Sequence, residues 1–150
     1  MRLADDLAAT ATLFRAYAAS IGVDLAYQYF DAELAALPGK YAPPAGELLL
    51  ARGADGSPLG CVGLRPLQPS VCEMKRLYVA PAGRGLGLGR MLAEAIIEAG
   101  RRAGYRALWL DTLPTMASAI GLYQALGFQP IAAYYDTPIA GTRFVGLALA

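Results

Sequence analysis

Residues 73–89 read Glu73-Met74-Lys75-Arg76-Leu77-Tyr78-Val79-Ala80-Pro81-Ala82-Gly83-Arg84-Gly85-Leu86-Gly87-Leu88-Gly89. A strand-like run ends at Val79 and Ala80, and Pro81 stops it. Three glycines then alternate with leucines, and a helical pattern follows without a break. A strand that feeds a glycine-rich turn opening a helix is suited to phosphate. The first N–H groups of a helix have no internal partner, and the helix dipole adds roughly half a positive charge there. Glycines let a pyrophosphate lie against bare backbone.

The chain on either side fits around this unit. Downstream, Leu88, Leu92, Ala95, Ile96 and Ala99 form the apolar stripe of a helix over Leu88–Ala103, ended by Gly104. Arg106–Leu110 reads as a buried strand, Met116–Leu126 as a helix stopped by Gly127, and Gln129–Tyr135 and Thr142–Leu149 as two last strands. Upstream, Glu47–Arg52, Leu59–Leu67 and Val71–Val79 are strands joined by Asp55-Gly56-Ser57-Pro58 and Gln68-Pro69-Ser70, which predicts an antiparallel meander. Asp5–Ser20 and Asp24–Leu37 read as amphipathic helices, ended by Gly22 and by Pro38-Gly39. The order is α+β, a mixed central sheet of meander plus one βαβ unit, flanked by helices. No repeat, linker or low-complexity tail breaks it, so residues 1–150 read as a single domain, long enough to bury about 70% of its unfolded surface.

Composition narrows the function classes. Lys and Arg number 13 against 12 Asp and Glu, a net charge of +1. That balance argues against a nucleic-acid binder, which shows a basic stripe. Hydrophobic residues make up 56% of the chain, yet the longest uncharged stretch, Thr112–Tyr135, is broken by Pro114, Gly127 and Pro130, so no membrane span is expected. Charges at Arg2, Asp5 and Asp6 argue against a signal peptide. The two cysteines, Cys61 and Cys72, read as buried free thiols in a reducing cytoplasm. With no histidine, a zinc site and every Ser-His or Cys-His scheme are disfavoured, and no metal is expected. Any acid or base is a carboxylate, a tyrosine, a lysine, a cysteine or water.

Three readings compete for the glycine turn. A dinucleotide-binding turn has the right alternation, and Asp111 stands 111 − 89 = 22 residues on, where a ribose-binding acid belongs. Gly-x-Gly-x-x-Gly, however, requires glycine where Arg90 stands, and the turn follows an antiparallel meander. A purely structural turn is the second reading. The third rests on a resemblance. Arg84-Gly85-Leu86-Gly87-Leu88-Gly89 resembles the Arg/Gln-x-x-Gly-x-Gly/Ala signature of the GCN5-related N-acetyltransferase (GNAT) superfamily. Residues 119–128, from Ala119 through Leu122-Tyr123 to Gly127-Phe128, are similar to that family's Ala-x-x-Leu-Tyr-x-x-x-Gly-Phe helix segment. The two segments stand in the family's order, and the resemblance spans roughly residues 47–150.

The resemblance implies a GNAT fold using acetyl-CoA as cosubstrate to acetylate an amine of a small molecule or peptide. Direct transfer in a ternary complex is expected, because no well-placed nucleophile is evident and Cys61 and Cys72 lack a histidine partner. It implies that the backbone of Leu77, Tyr78 and Val79 pairs with the pantetheine, and that a bulge in that strand frees an N–H for the thioester carbonyl. Gly85, Leu86, Gly87, Leu88 and Gly89 would hold the pyrophosphate, with Arg84 and Arg90 either meeting phosphates or solvated. Tyr123 is the implied general acid, since a phenol of pKa about 10 suits a thiolate of about 8.5. Glu73, 84 − 73 = 11 residues before the signature, is the candidate base. Its alternative is a strand carboxylate paired with Lys75 or Arg76. Two departures stand out. Met116 occupies the position of a common asparagine, leaving its pantetheine contact missing or taken by Ser118. Only Met1–Ala4 precede the first helix, so the family's first strand is short or absent.

For the acceptor, the resemblance points to the first helices, their loop and the last strands. These offer Tyr27, Gln28, Tyr29, Tyr41, Tyr134 and Tyr135, with Arg65 and Arg76 as anchors for an acidic group. Aromatic residues with few charges suggest a small acceptor rather than a polyanion. Exposed last strands often mediate homodimers in this family. The rival from another class is a non-catalytic acyl-CoA-binding module of the same fold.

Overall fold

The computed structural model describes residues 4–21, 30–113, 117–137 and 139–149. Its elements run α1 (Ala4–Ile21), α2 (Phe30–Ala35), a 3-10 turn (Gly39–Tyr41), β1 (Glu47–Arg52), β2 (Pro58–Gln68) and β3 (Val71–Val79). A second 3-10 turn (Pro81–Gly83) leads to α3 (Leu88–Arg102), β4 (Ala107–Thr112), α4 (Ala117–Ala125), β5 (Gln129–Pro130) and β6 (Arg143–Ala148). Residues 1–3, on which the question of a first strand falls, lie outside the described residues.

The strands form one mixed sheet in the order β1-β2-β3-β4-β6-β5. The meander β1-β2-β3 is antiparallel, with Arg65 opposite Glu73. β3 then crosses through α3 to a parallel neighbour, β4, as a βαβ unit must. β4 pairs antiparallel with β6, Asp111 standing opposite Phe144.

Alternation along the strands divides the core between the two faces. On one face Val62, Leu64, Cys72, Met74, Leu108 and Leu110 meet Leu92, Ile96 and Ile97 of α3 and Tyr123 of α4. On the other, Leu48, Cys61 and Tyr41 meet Leu13 and Phe14 of α1 and Phe30 of α2. Ile96 is fully buried, and burial of such a side chain contributes about 1.5–3 kcal/mol. Among the described residues, no helix is long and apolar enough to cross a membrane. Both cysteines are free and buried, as expected of them.

Two elements depart from expectation. The second helix ends at Ala35 rather than Leu37, because a residue before proline is pushed out of the helical region and Pro38 lies ahead. The strand expected over Gln129–Tyr135 is only Gln129–Pro130. Pro130 lacks an N–H, and after Ile131 donates to Phe144 the chain leaves the ladder. Neighbouring tyrosines then turn to the same side: Tyr134 donates to Glu73 and Tyr135 to Asp111. A strand would have sent them to opposite faces.

Candidate active site

β3 is irregular where the sequence places its chemistry. Its register with β2 jumps from Gly63↔Lys75 to Cys61↔Tyr78, so Arg76 and Leu77 together face Val62. Arg76 has φ 60°, a left-handed conformation rare outside glycine. The Cys61 thiol donates to the Arg76 carbonyl at 3.4 Å, and burial pushes that thiol up to about 12. This is the bulge the resemblance implied. β3 pairs with β4 only over Val71–Glu73, opposite Ala107–Trp109. Beyond that no ladder joins Met74–Val79 to β4 among the described residues, and the sheet splays open there.

The splay runs into the glycine turn. Gly85 and Gly87 have φ of 82° and 75°, which only glycine adopts without strain. Gly87 begins α3 without any side-chain cap, and the first helical bond runs from the Met91 N–H to the Gly87 carbonyl. The N–H groups of Leu88, Gly89 and Arg90 therefore precede the ladder. A Cβ at Gly85 or Gly87 would meet nothing within 4 Å. At Gly89 it would meet only Val79 Cγ2 at 3.8 Å and Leu122 Cδ2 at 4.0 Å. Packing within the protein therefore does not demand Gly89. Arg84 donates to the Val79 carbonyl at 3.3 Å, and Arg90 lies 3.6 Å from Glu94, both at the surface. Leu86 and Ser118 are exposed, Leu77 and Val79 pack toward α3, and Tyr78 packs edge-on against Tyr17.

Glu73 is 2% exposed. Its Oε1 accepts from Arg65 Nε at 2.9 Å and its Oε2 from the Tyr134 hydroxyl at 2.7 Å. Burial pushes the Glu73 carboxyl up. The Lys75 and Arg65 charges and these two hydrogen bonds outweigh that and hold it below the ordinary range. Lys75, also buried, is pushed down by burial, partly opposed by Glu73 and Asp111. The alternative pairing of Glu73 with Arg76 does not occur. Arg76 Nε and Nη2 each donate to Glu33 of α2 at 3.1 Å, and the guanidinium lies 5.1 Å from the Phe30 ring centroid. With Glu33 holding a side chain only 2% exposed, Arg76 does not fit the expectation that it meets an acceptor directly.

Glu73, Lys75, Tyr134 and Arg65 line one cavity of about 460 Å³ together with Glu33 and Tyr41. The Tyr134 ring is wedged against Trp109 and Phe144, at 5.5 and 5.1 Å between centroids. Tyr123 is placed differently. It packs against Phe128 at 5.6 Å and lines a second cavity of about 370 Å³ with Thr112 and Phe144. Burial, then Tyr17 and Asp111, push the Tyr123 phenol up, so it stays protonated. The Asp111 charge also bears on Lys75 and Tyr134. Tyr27, Tyr29 and Met116 lie outside the described residues. The sequence reading missed Glu33 and Lys40. Only the tertiary placement of α2 and of the 3-10 turn after it brings them to the cavity.

Comparison with known proteins agrees with this architecture. The profile of the acetyltransferase (GNAT) family matches residues 10–128, well over half of the chain. An uncharacterized N-acetyltransferase of Schizosaccharomyces pombe is 41% identical over 150 residues, covering 99% of this chain and 92% of that protein. A GNAT-family acetyltransferase structure from Staphylococcus aureus aligns with TM-score 0.81 at 19% identity, covering 99% and 96%. An acetyltransferase from Salmonella typhimurium, solved with its cofactor acetyl-CoA, aligns with TM-score 0.65 at 24% identity, covering 85% and 75%. The chain belongs to the GNAT acetyltransferase family.

Proposed function

We propose that this protein transfers an acetyl group from acetyl-CoA directly to an amine of a small molecule or peptide bound in the Glu73 cavity. The observation that carries this is the continuity of the splayed β3 edge with an uncapped helix start at which the protein's own packing does not require Gly89. Backbone N–H groups over Gly85–Arg90 hold the pyrophosphate, and the open edge over Leu77–Val79 pairs with the pantetheine. An N–H freed by the bulge meets the oxyanion.

Glu73 draws an ammonium group to the cavity. With its carboxyl below the ordinary range, it is a poor base for a free alkylammonium of pKa about 10. The ammonium first gives up one proton to solvent water and the neutral amine attacks; Glu73 acts once that nitrogen has bonded to the thioester carbon and become strongly acidic. The proton then passes from nitrogen to Glu73, directly or through water, as the C–S bond breaks. Tyr123, held protonated by burial, donates to the departing thiolate. Arg65 and Tyr134 fix the Glu73 carboxylate, and Arg76 acts through Glu33 on the cavity wall.

The test is acetyl-CoA-dependent thiol release over amines, amino acids, aminoglycosides and peptides, with calorimetry against acetyl-CoA and NAD. Turnover with acetyl-CoA binding supports transfer. Acetyl-CoA binding without thiol release on any acceptor would favour a non-catalytic acyl-CoA module. Tight NAD binding without CoA binding would sink the cofactor reading.

A further inference from the structure

Asp111 brings a second carboxylate to the side of the sheet that holds Glu73. β4 alternates half-buried Ala107, Trp109 and Asp111 with buried Leu108, Leu110 and Thr112. Leu108 and Leu110 belong to the cluster under α3, so Trp109 and Asp111 face the opposite side. Glu73 shares that side, since Trp109 packs on the Tyr134 ring and Tyr134 donates to Glu73. The parallel ladder ends at Glu73↔Trp109. Counted on from that pair, Asp111 stands level with Lys75, the residue just before the bulge, on the β4 wall of the splay.

The two carboxylates differ in what already holds them. Glu73 has both oxygens bonded, Oε1 by Arg65 and Oε2 by Tyr134. Asp111 accepts from the Tyr135 hydroxyl through Oδ2. Among the described residues its Oδ1 accepts no hydrogen bond, and Asp111 enters no ion pair. Tyr135 is itself fixed, edge-on to Tyr134 and Phe144 at 5.7 and 5.4 Å between ring centroids. Tyr135 also lines the Glu73 cavity. The Asp111 carboxylate is thus oriented through one oxygen and open at the other, and a carboxylate oxygen has room for further donors.

An amine nitrogen that has bonded to the thioester carbon carries two hydrogens where the amine was primary and one where it was secondary. We propose that Asp111 is a further catalytic residue, its Oδ1 accepting a hydrogen bond from the hydrogen that Glu73 does not take, with Tyr135 as its positioning residue. This rests on acetyl transfer as proposed above. Glu73 receives one proton as the C–S bond breaks, and Tyr123 protonates the thiolate. The hydrogen held by Asp111 stays on nitrogen and becomes the amide N–H, so no proton ends on Asp111.

The test is thiol release from acetyl-CoA with n-butylamine, 2-phenylethylamine and glycinamide, each beside its N-methyl counterpart. Wild type is expected to prefer the primary amine about tenfold or more in kcat/KM. In Asp111→Asn, Tyr135 claims the one carbonyl oxygen and the amide NH₂ turns toward the amine. That variant is expected to bind acetyl-CoA as wild type does by calorimetry, and to lower the preference for the primary amine about tenfold. Tyr135→Phe, which leaves the carboxylate free to turn, is expected to lower the preference less, and decides where Asp111→Asn does not fold. Equal turnover of both counterparts by wild type, or a preference unchanged in the variants, overturns the role of Asp111 and leaves acetyl transfer standing. Acetyl-CoA binding with no thiol release from any amine overturns acetyl transfer and this role with it.

Discussion

Glu33→Ala is the substitution with the largest structural consequence for the site. Glu33 takes two hydrogen bonds from the Arg76 guanidinium, both at 3.1 Å, and lies 3.9 Å from Arg65 Nη1. The Arg76 side chain is 2% exposed and that of Glu33 9%. Removing Glu33 leaves a guanidinium sealed between the rings of Tyr17 and Phe30 with its principal anion gone. Breaking one side of such a buried pair costs about 3–5 kcal/mol. At roughly 2–4 °C per kcal/mol for a chain of this length, the melting temperature falls by about 6–20 °C. That is a large share of a total stability of about 5–15 kcal/mol. Urea and thermal unfolding followed by circular dichroism measure it. Glu33→Ala combined with Arg76→Met is expected to be more stable than Glu33→Ala alone, because the stranded charge is then absent. A Glu33→Ala protein within about 0.5 kcal/mol of wild type would refute the idea that this pair fastens α2 to the bulge.

For Glu73→Gln the effect depends on pH. The folded carboxyl titrates below its unfolded value of 4.5. Its ionised form therefore contributes stability that is present above about 4.5 and lost as the pH falls through the folded value. Unfolding at about pH 7 is expected to show wild type more stable, with the gap closing toward about pH 3; an unchanged gap contradicts this. Gly89→Ala separates packing from ligand. The new Cβ meets only ordinary contacts, so stability is expected to hold or rise by up to about 1 kcal/mol, while calorimetry shows acetyl-CoA affinity falling about tenfold or more. Affinity left intact would mean nothing approaches that backbone. Tyr123→Phe is expected to bind acetyl-CoA as wild type does and to lose about 10²-fold or more in kcat. Unchanged turnover would remove Tyr123 from the mechanism.

Most of the fold was legible because its signals are local. The turns at Asp55–Pro58 and Gln68–Ser70, the stop at Pro81 and the stripe from Leu88 to Ala99 each state an element boundary within a few residues. Gln129–Tyr135 failed because its course is set by partners far away in sequence. The carboxylates of Glu73 and Asp111 draw Tyr134 and Tyr135 to one side, and no local propensity records that. Glu33 and Lys40 were invisible for the same reason, since an acidic helix residue and a loop lysine ordinarily face water.

The bulge is a subtler case, because the sequence does encode it. In β3 the residues turned toward α3 are Cys72, Met74, Leu77 and Val79, spaced by two, three and two. A regular strand keeps a period of two, so the step from Met74 to Leu77 requires one extra residue in the strand. Arg76 is that residue. Had the strand stayed regular from Met74 onward, two outcomes would follow together. Leu77 and Val79 would lie on the charged side with Glu73 and Lys75, and the Arg76 guanidinium would enter the apolar cluster under α3. The phase shift avoids both. It sets Lys75 and Arg76 side by side on the α2 face, where Glu33 and Glu73 answer them. The same residue carries the backbone distortion at the start of the splay. Burial of Arg76 by α2 and exposure of backbone in the splay are thus two results of one inserted residue, and a variant that deletes the bulge should lose both together.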